Sequence, residues 1–184
     1  GKIEEEELDD KLIKEYLGGY GLAARLLYEK IPAGADPLGE DNVLGFYPGL
    51  LTGSMVPFTG RYMVCTKSPA TGTWADSNSG GFFGPAIQKC GYAGINFSGK
   101  SDKPVYLLIK NGKASLEDAK DLWGKDSVET EDILKEKHGK KTQISCIGQA
   151  GEKLCLCSGI VNDKGRIAAR MGVGAVMGSK KLKA

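Results

Sequence analysis

Apolar runs along this chain are short. Nearly every one is closed by glycine, proline or a cluster of polar residues. "VLGFYPG", "RYMVCTK", "VYLLI" and "TQISCIG" are the clearest. Runs of this length, rich in β-branched and aromatic residues, read as strands. Strands outnumber helices and several are joined by hairpin-length turns. The chain is therefore assigned to the α+β class, with a largely antiparallel or mixed sheet. With 27 glycines, tight turns and close backbone approaches are expected throughout. No apolar run reaches the roughly 18 residues that a membrane span requires.

The length of 184 residues suggests a single domain over 1–184. A domain of this size buries about 70 % of its unfolded surface and needs no staples. The net charge of +2 is too balanced to argue for nucleic acid. The five cysteines, Cys65, Cys90, Cys146, Cys155 and Cys157, include no C-x-x-C pair. An odd count within apolar strands reads as buried, reduced thiols, and with no visible signal peptide this points to the cytoplasm. Cys155 and Cys157 are expected on one face of a strand, without the further ligands a metal site needs. His138, the sole histidine, ends a charged helix and is expected in solvent.

The opening "GKIEEEEL" reads as the tail of a strand whose partner lies elsewhere. Helices are predicted over 9–17 and 20–30 from their apolar stripes, with Gly18 and Gly19 between them. A short helix is predicted over 81–91, with Pro85 in its first turn. Strands are predicted near 94–98, 104–110 and 113–117. In "DSVETEDILKEKHG", Asp126 and Glu129 resemble a capping box and Gly139 closes the helix. "TQISCIG" and "LCLCSGIV" read as strands, 170–178 as the last helix, and "KKLKA" as the approach to one more strand.

Three segments invite a phosphate reading. "GINFSGKS", residues 94–101, matches the Walker A pattern. A P-loop needs a helix directly after its Lys and Ser; here "DKPVYLLI" predicts a turn and a strand, so the backbone cradle does not form. "GRIAARMGVGAVMGSKK" places Arg166 and Arg170 before Gly172, Gly174 and Gly178. It is not the dinucleotide fingerprint, because Met177 stands where the third glycine belongs. The segment is either a glycine-rich helix packed closely on a sheet or an anion-binding helix entrance. "DSNSGGFFG" has a similar shape, a polar turn with Asn78 and Ser79 leading into Gly80 and Gly81, with Arg61 upstream. Two such arginine–glycine units would suit a ligand with two phosphate arms.

These residues carry a resemblance. "LTGSMVPFTGRYMVCTKSPATGTWADSNSGGFFG", "KCGYAGINFSGKSDKPVYL", "IGQAGEKL" and "GRIAARMGVGAVMGSKKLKA" resemble the N-terminal domain of tungsten-containing aldehyde ferredoxin oxidoreductases. So do "KEYLGGYGLAARLLYEKI" and "DLWGKDSVET", so the likeness runs in order over essentially the whole chain. It implies two β-sheets in a pseudo-two-fold arrangement with short helices, forming a base under a tungsten (or molybdenum) bis-pyranopterin. Magnesium bridges the two pterin phosphates.

Carried over by motif, Arg61 serves one pterin and Arg166 the other. Asn78, Ser79 and Gly80 contact the cofactor, and Ala169 and Arg170 line the phosphate region. The carbonyls of Asn78 and Ile167 face the magnesium. The family commonly reads "RAAGRGG" where this chain reads "RIAARMG", so Ile167, Ala169 and Met171 depart from it.

The resemblance further implies oxidation of a small aldehyde to a carboxylic acid. Electrons leave through a 4Fe-4S cluster to ferredoxin. The cluster ligands and the acid/base residues belong to other domains of the same polypeptide, so no catalytic residue is assigned here and the 184-residue chain alone is expected to be inactive. No nucleic acid or membrane is implied, and a homodimer stays open. The alternatives are a non-redox module for a phosphate ligand, and a family member that reduces aromatic thioesters.

Overall fold

A computed structural model describes all 184 residues. Two helices come first, α1 (Asp10–Tyr16) and α2 (Gly19–Lys30). Asp9 caps α1 through the Lys11 N–H, and α2 buries Leu22, Ala23, Leu26 and Leu27. Residues 1–8 form no strand.

Three antiparallel sheets follow. The largest has the order β3-β2-β1-β4, from β1 (Leu44–Pro48), β2 (Tyr62–Lys67), β3 (Trp74–Ser79) and β4 (Ile95–Phe97). A second is the hairpin of β5 (Val105–Lys110) and β6 (Lys113–Asp118). The third has the order β7-β8-β9, from β7 (Ser145–Cys146), β8 (Ile160–Asn162) and β9 (Arg166–Ala168). The chain is thus α+β as expected, with two larger sheets and an added two-stranded ladder. The closing segment runs beside β5: the Val105 N–H donates to the Lys181 carbonyl at 2.9 Å, and the Ile147 N–H to the Lys183 carbonyl at 3.1 Å. It joins the hairpin to β7 and carries one parallel bridge, Leu182 to Val105, rather than a strand of its own.

Four further helices are short: α3 (Phe83–Lys89), α4 (Ser127–His138), α5 (Gln149–Glu152) and α6 (Val173–Ser179). In α4 the Glu129 N–H donates to Asp126 Oδ1 at 2.8 Å, the predicted N-terminal cap. The principal core lies between the sheets. Leu44, Phe46, Tyr62 and Val64 meet Ile147, Ile160, Val173, Val176 and Met177 there. Each such side chain contributes roughly 1.5–3 kcal/mol by leaving water. No helix is long and apolar enough to cross a membrane.

Four expectations change. Residues 76–79 are strand, not a polar turn. β3 pairs along its length with β2, from Tyr62 opposite Ser79 to Lys67 opposite Trp74. It buries Ala75, Ser77 and Ser79, small residues whose hydroxyls find partners inside. Pairing and packing override the turn preference of Asp, Ser and Asn. The strand expected over 154–161 shrinks to β8, because Leu154 takes a left-handed φ of 58° and bends the chain away. The cysteines divide: Cys65 and Cys146 are buried, while Cys90, Cys155 and Cys157 are exposed. His138 is half-buried, its Nε2 2.9 Å from the Tyr106 hydroxyl.

Candidate functional site

The two arginine-bearing segments meet where β3 approaches β9. Both are outer strands of their sheets. Side chains on β8 and β9 tie them together. Asn162, fully buried, is the hub. Its Oδ1 accepts the Ser79 hydroxyl at 2.7 Å and the Tyr62 hydroxyl at 3.0 Å. Its Nδ2 donates to the Gly80 carbonyl at 2.9 Å and to Asp163 at 3.0 Å. The Arg170 N–H donates to Ser77 Oγ at 3.1 Å. Burial pushes the Tyr62 phenol far up, so it stays a neutral donor.

Onto this frame the chain hangs its exposed cations. Arg61 opens into solvent just before β2, and its backbone is pinned: its carbonyl accepts the Thr52 hydroxyl at 2.8 Å. Its guanidinium donates to Asn78 Oδ1, and Asn78 Nδ2 donates to the Tyr20 hydroxyl at 2.9 Å. Arg166 leads β9 and lies along Gly80 and Gly81. A Cβ on Gly81 would fall 2.7 Å from Arg166 Cδ and 1.9 Å from Asp163 Oδ2, so a side chain there is excluded. Neither Arg61 nor Arg166 has an ion-pair partner, and Arg170 reaches Asp76 only at 4.0 Å. Exposed guanidiniums with no carboxylate at ion-pair distance can take an anionic ligand, although the Asp163 carboxylate stands near the Arg166 stem.

The predicted residues therefore gather, with differences in what each offers. Arg61, Arg166, Ile167, Ala169 and Arg170 are exposed, and Asn78 and Gly80 are half-exposed. Ser79 is buried as a whole residue and its hydroxyl is spent on Asn162, so it presents no exposed group to a ligand. The helix entrances are not free anion sites. The Gly174 N–H donates to the Ser158 carbonyl at 3.0 Å, and the Phe82 N–H to Asp163 Oδ2 at 2.9 Å. The glycines of α6 serve packing: a Cβ on Gly178 would stand 2.0 Å from the Gly151 carbonyl oxygen, and one on Gly174 2.5 Å from that of Gly159. The packing alternative holds for this helix. What remains for a ligand is arginine side chains and edge backbone. The Walker-like 94–101 segment runs into β5, as its sequence predicts.

Sequence reasoning missed Asn162, Asp163, Tyr62 and Ser77. "VNDKG" reads as a strand end and a turn, and nothing local marks Asn162 as the residue that bridges two sheets.

The chain is matched over residues 1–184 by the model of the family described as aldehyde ferredoxin oxidoreductase, N-terminal domain. It is 48 % identical to a tungsten-containing aldehyde ferredoxin oxidoreductase of Thermococcus kodakarensis, covering 100 % of this chain and 31 % of that protein. The Pyrococcus furiosus enzyme of the same name is also 48 % identical, with the same coverage. An aliphatic sulfonate oxidoreductase WOR-like subunit of that organism is 32 % identical, covering 100 % of this chain and 32 % of that protein. Among solved structures, a chain of the benzoyl coenzyme A reductase active-site complex BamBC, in complex with 1,5-dienoyl-CoA, superposes with a TM-score of 0.97 at 39 % identity. That match covers 100 % of this chain and 28 % of the other. The chain thus spans about a third of the length of these relatives.

Proposed function

The chain belongs to the aldehyde ferredoxin oxidoreductase family as its N-terminal domain, and on that premise we propose that the Arg61–Arg166 surface cradles a tungsten (or molybdenum) bis-pyranopterin. The observation that carries the reading is the convergence of two unpaired guanidiniums on residues 78–81. Arg61 bonds Asn78 and Arg166 lies along Gly80 and Gly81. The donor set fits the group: planar forks suit dianionic phosphate, each charge-assisted bond contributing roughly 1.5–3 kcal/mol. Outer strands leave alternate backbone groups unpaired, and oxygen donors of that kind suit magnesium. Asn78 and Ile167 are the carbonyls assigned to it, with Gly80, Ala169 and Arg170 bounding the phosphate region.

When bound, the cofactor supplies oxygen-atom and electron transfer. This chain's part is to bind and orient. Asn162 fixes the end of β3 against β8, so Asn78 and Gly80 hold their places when charge arrives. Asn78 holds the Arg61 fork in one orientation. We propose a small aldehyde as substrate, a carboxylic acid as product, and ferredoxin as acceptor through a 4Fe-4S cluster on the remainder of the polypeptide. That remainder also covers the exposed apolar loop before β2, where Met55 and Phe58 stand fully in solvent. The benzoyl coenzyme A reductase likeness favours a second reading, reduction of an aromatic thioester on the same cradle.

The test is metal and pterin analysis of the full-length protein purified without oxygen. Tungsten or molybdenum with paired pterins and magnesium is expected. Iron without either heavy metal overturns the reading. Turnover of aldehydes, and not of aryl thioesters, separates the two substrates.

A further inference from the structure

Cys155 and Cys157 take no part in the arginine surface. They stand on the turn between α5 and β8, and both are exposed. Their sulfurs are 3.3 Å apart. In an extended strand such a pair would be separated by about 6.6 Å of backbone rise. The turn brings them together and is itself held in place. The Cys155 N–H donates to the Ala150 carbonyl at 2.9 Å. The Cys155 carbonyl accepts the Ser158 N–H at 2.9 Å and the Ser158 hydroxyl at 2.6 Å. No group of three or more His, Cys, Asp or Glu side chains is placed to hold a metal, so the pair has no companions to complete a zinc site. A close, exposed dithiol on a fixed turn has redox chemistry open to it instead.

We propose that Cys155 and Cys157 form a redox-active dithiol that a low-molecular-weight disulfide oxidises to an intramolecular disulfide. The Cys155 thiolate attacks one sulfur of R–S–S–R; the S–S bond breaks, one thiolate leaves, and a mixed disulfide forms at Cys155. Cys157 gives its proton to solvent and attacks Cys155 Sγ, displacing the second thiolate. The two cysteines lose two electrons and two protons, and the disulfide is reduced to two molecules of R–SH. The order follows from the local fields. The Cys157 backbone N–H draws the Cys155 thiol below its ordinary value, while the hydrogen bond with Cys155 raises Cys157. Cys65 and Cys146 are buried, and burial pushes both thiols up, the second to about 12, so they stay out of the exchange.

The experiment uses the full-length protein, equilibrated without oxygen in glutathione buffers, quenched in acid and mapped by differential alkylation and peptide mass spectrometry. The expected result is loss of two hydrogens from the Cys155–Cys157 peptide without an adduct. Its oxidised-to-reduced ratio should change tenfold for each tenfold change in oxidised over squared reduced glutathione. Cys157→Ser should trap a glutathione adduct on Cys155. The proposal is overturned if both thiols remain free at every ratio, if each carries its own glutathione, or if Cys157→Ser gives no adduct. Should that variant fail to fold, the wild-type titration decides alone.

Discussion

Asn162→Ala tests the claim that one buried amide holds the site together. The substitution removes an acceptor shared by Tyr62 and Ser79 and a donor to the Gly80 carbonyl. Tyr62 keeps Ser145, 3.1 Å away, so its hydroxyl is not stranded. Ser79 Oγ is buried and loses its partner at about 1–3 kcal/mol; the half-exposed Gly80 carbonyl loses its own at less cost. A small cavity adds to the cost. The expected loss is about 3 kcal/mol, read from urea midpoints of the 184-residue chain at constant m.

Asn162→Asp gives a second, sharper signature. The acceptor oxygen survives, but the donor is replaced by an oxygen facing the Gly80 carbonyl and the Asp163 carboxylate. Burial and like charge raise the introduced carboxyl above its unfolded value near 4. From about pH 4 up to the raised folded value, the unfolded chain has released the proton and the folded chain retains it. Stability therefore falls as pH rises through that window, by up to about 1.4 kcal/mol per pH unit, relative to wild type. A loss below about 1 kcal/mol for Asn162→Ala, or a pH-independent deficit for Asn162→Asp, would refute the assignment of Asn162 as the hub.

Arg166→Ala in the full-length protein should lower pterin retention on dilution by roughly 10- to 100-fold, with Arg166→Lys in between, because lysine keeps the charge and loses the fork; cofactor stoichiometry after gel filtration reads this. Gly178→Ala should cost about 3 kcal/mol, since its methyl would stand 2.0 Å from the Gly151 carbonyl oxygen, and thermal unfolding measures it. Lys180 is buried with its Nζ on the carbonyls of Asn42, at 2.5 Å, and Gly99, at 3.0 Å, and burial lowers its pKa to about 8. Between that value and its unfolded value near 10.5, the unfolded chain binds the extra proton. Stability carried by this group therefore rises with pH across the window, and Lys180→Met should abolish that rise in urea titrations. Met171 sits at φ 66°, where a side chain costs roughly 1–2 kcal/mol. Met171→Gly should therefore gain about 0.5–1 kcal/mol after the entropy of glycine is set against it, visible as a higher urea midpoint.

Elements with their own local signals were legible in the sequence. The Asp126 cap of α4, the β5–β6 hairpin and the strand that rules out a P-loop at Lys100 each rest on residues a few positions apart. Elements decided by distant partners were not. β3 is polar along "DSNS", and it is a strand only because β2 pairs with it and because Ser77 and Ser79 meet the Arg170 N–H and Asn162 from the other sheet. "LCLC" alternates like a strand, yet it turns at Leu154, φ 58°, and the Leu156 carbonyl comes up against Gly172.

The candidate site falls on the same divide. Arg61 and Arg166 lie about a hundred positions apart in the sequence, and no periodicity links them. The role proposed for the pair rests on the resemblance of whole segments, while Gly174 and Gly178 are packing contacts of α6. A glycine-rich stretch signals close approach of something to the backbone without saying what. At Gly174 and Gly178 it is the chain's own carbonyls, from Gly159 and Gly151; at Gly80 a Cβ would meet only the Arg166 guanidinium, at 3.4 Å. Of these glycines, Gly80 alone has an open side toward the arginine surface; Gly81 is closed by Asp163, Arg166 and Asn162. A methyl at Gly80 would crowd an arginine that can move, so Gly80→Ala should cost the folded chain little and still weaken cofactor retention. Equal retention by the variant would place the ligand away from residues 78–81.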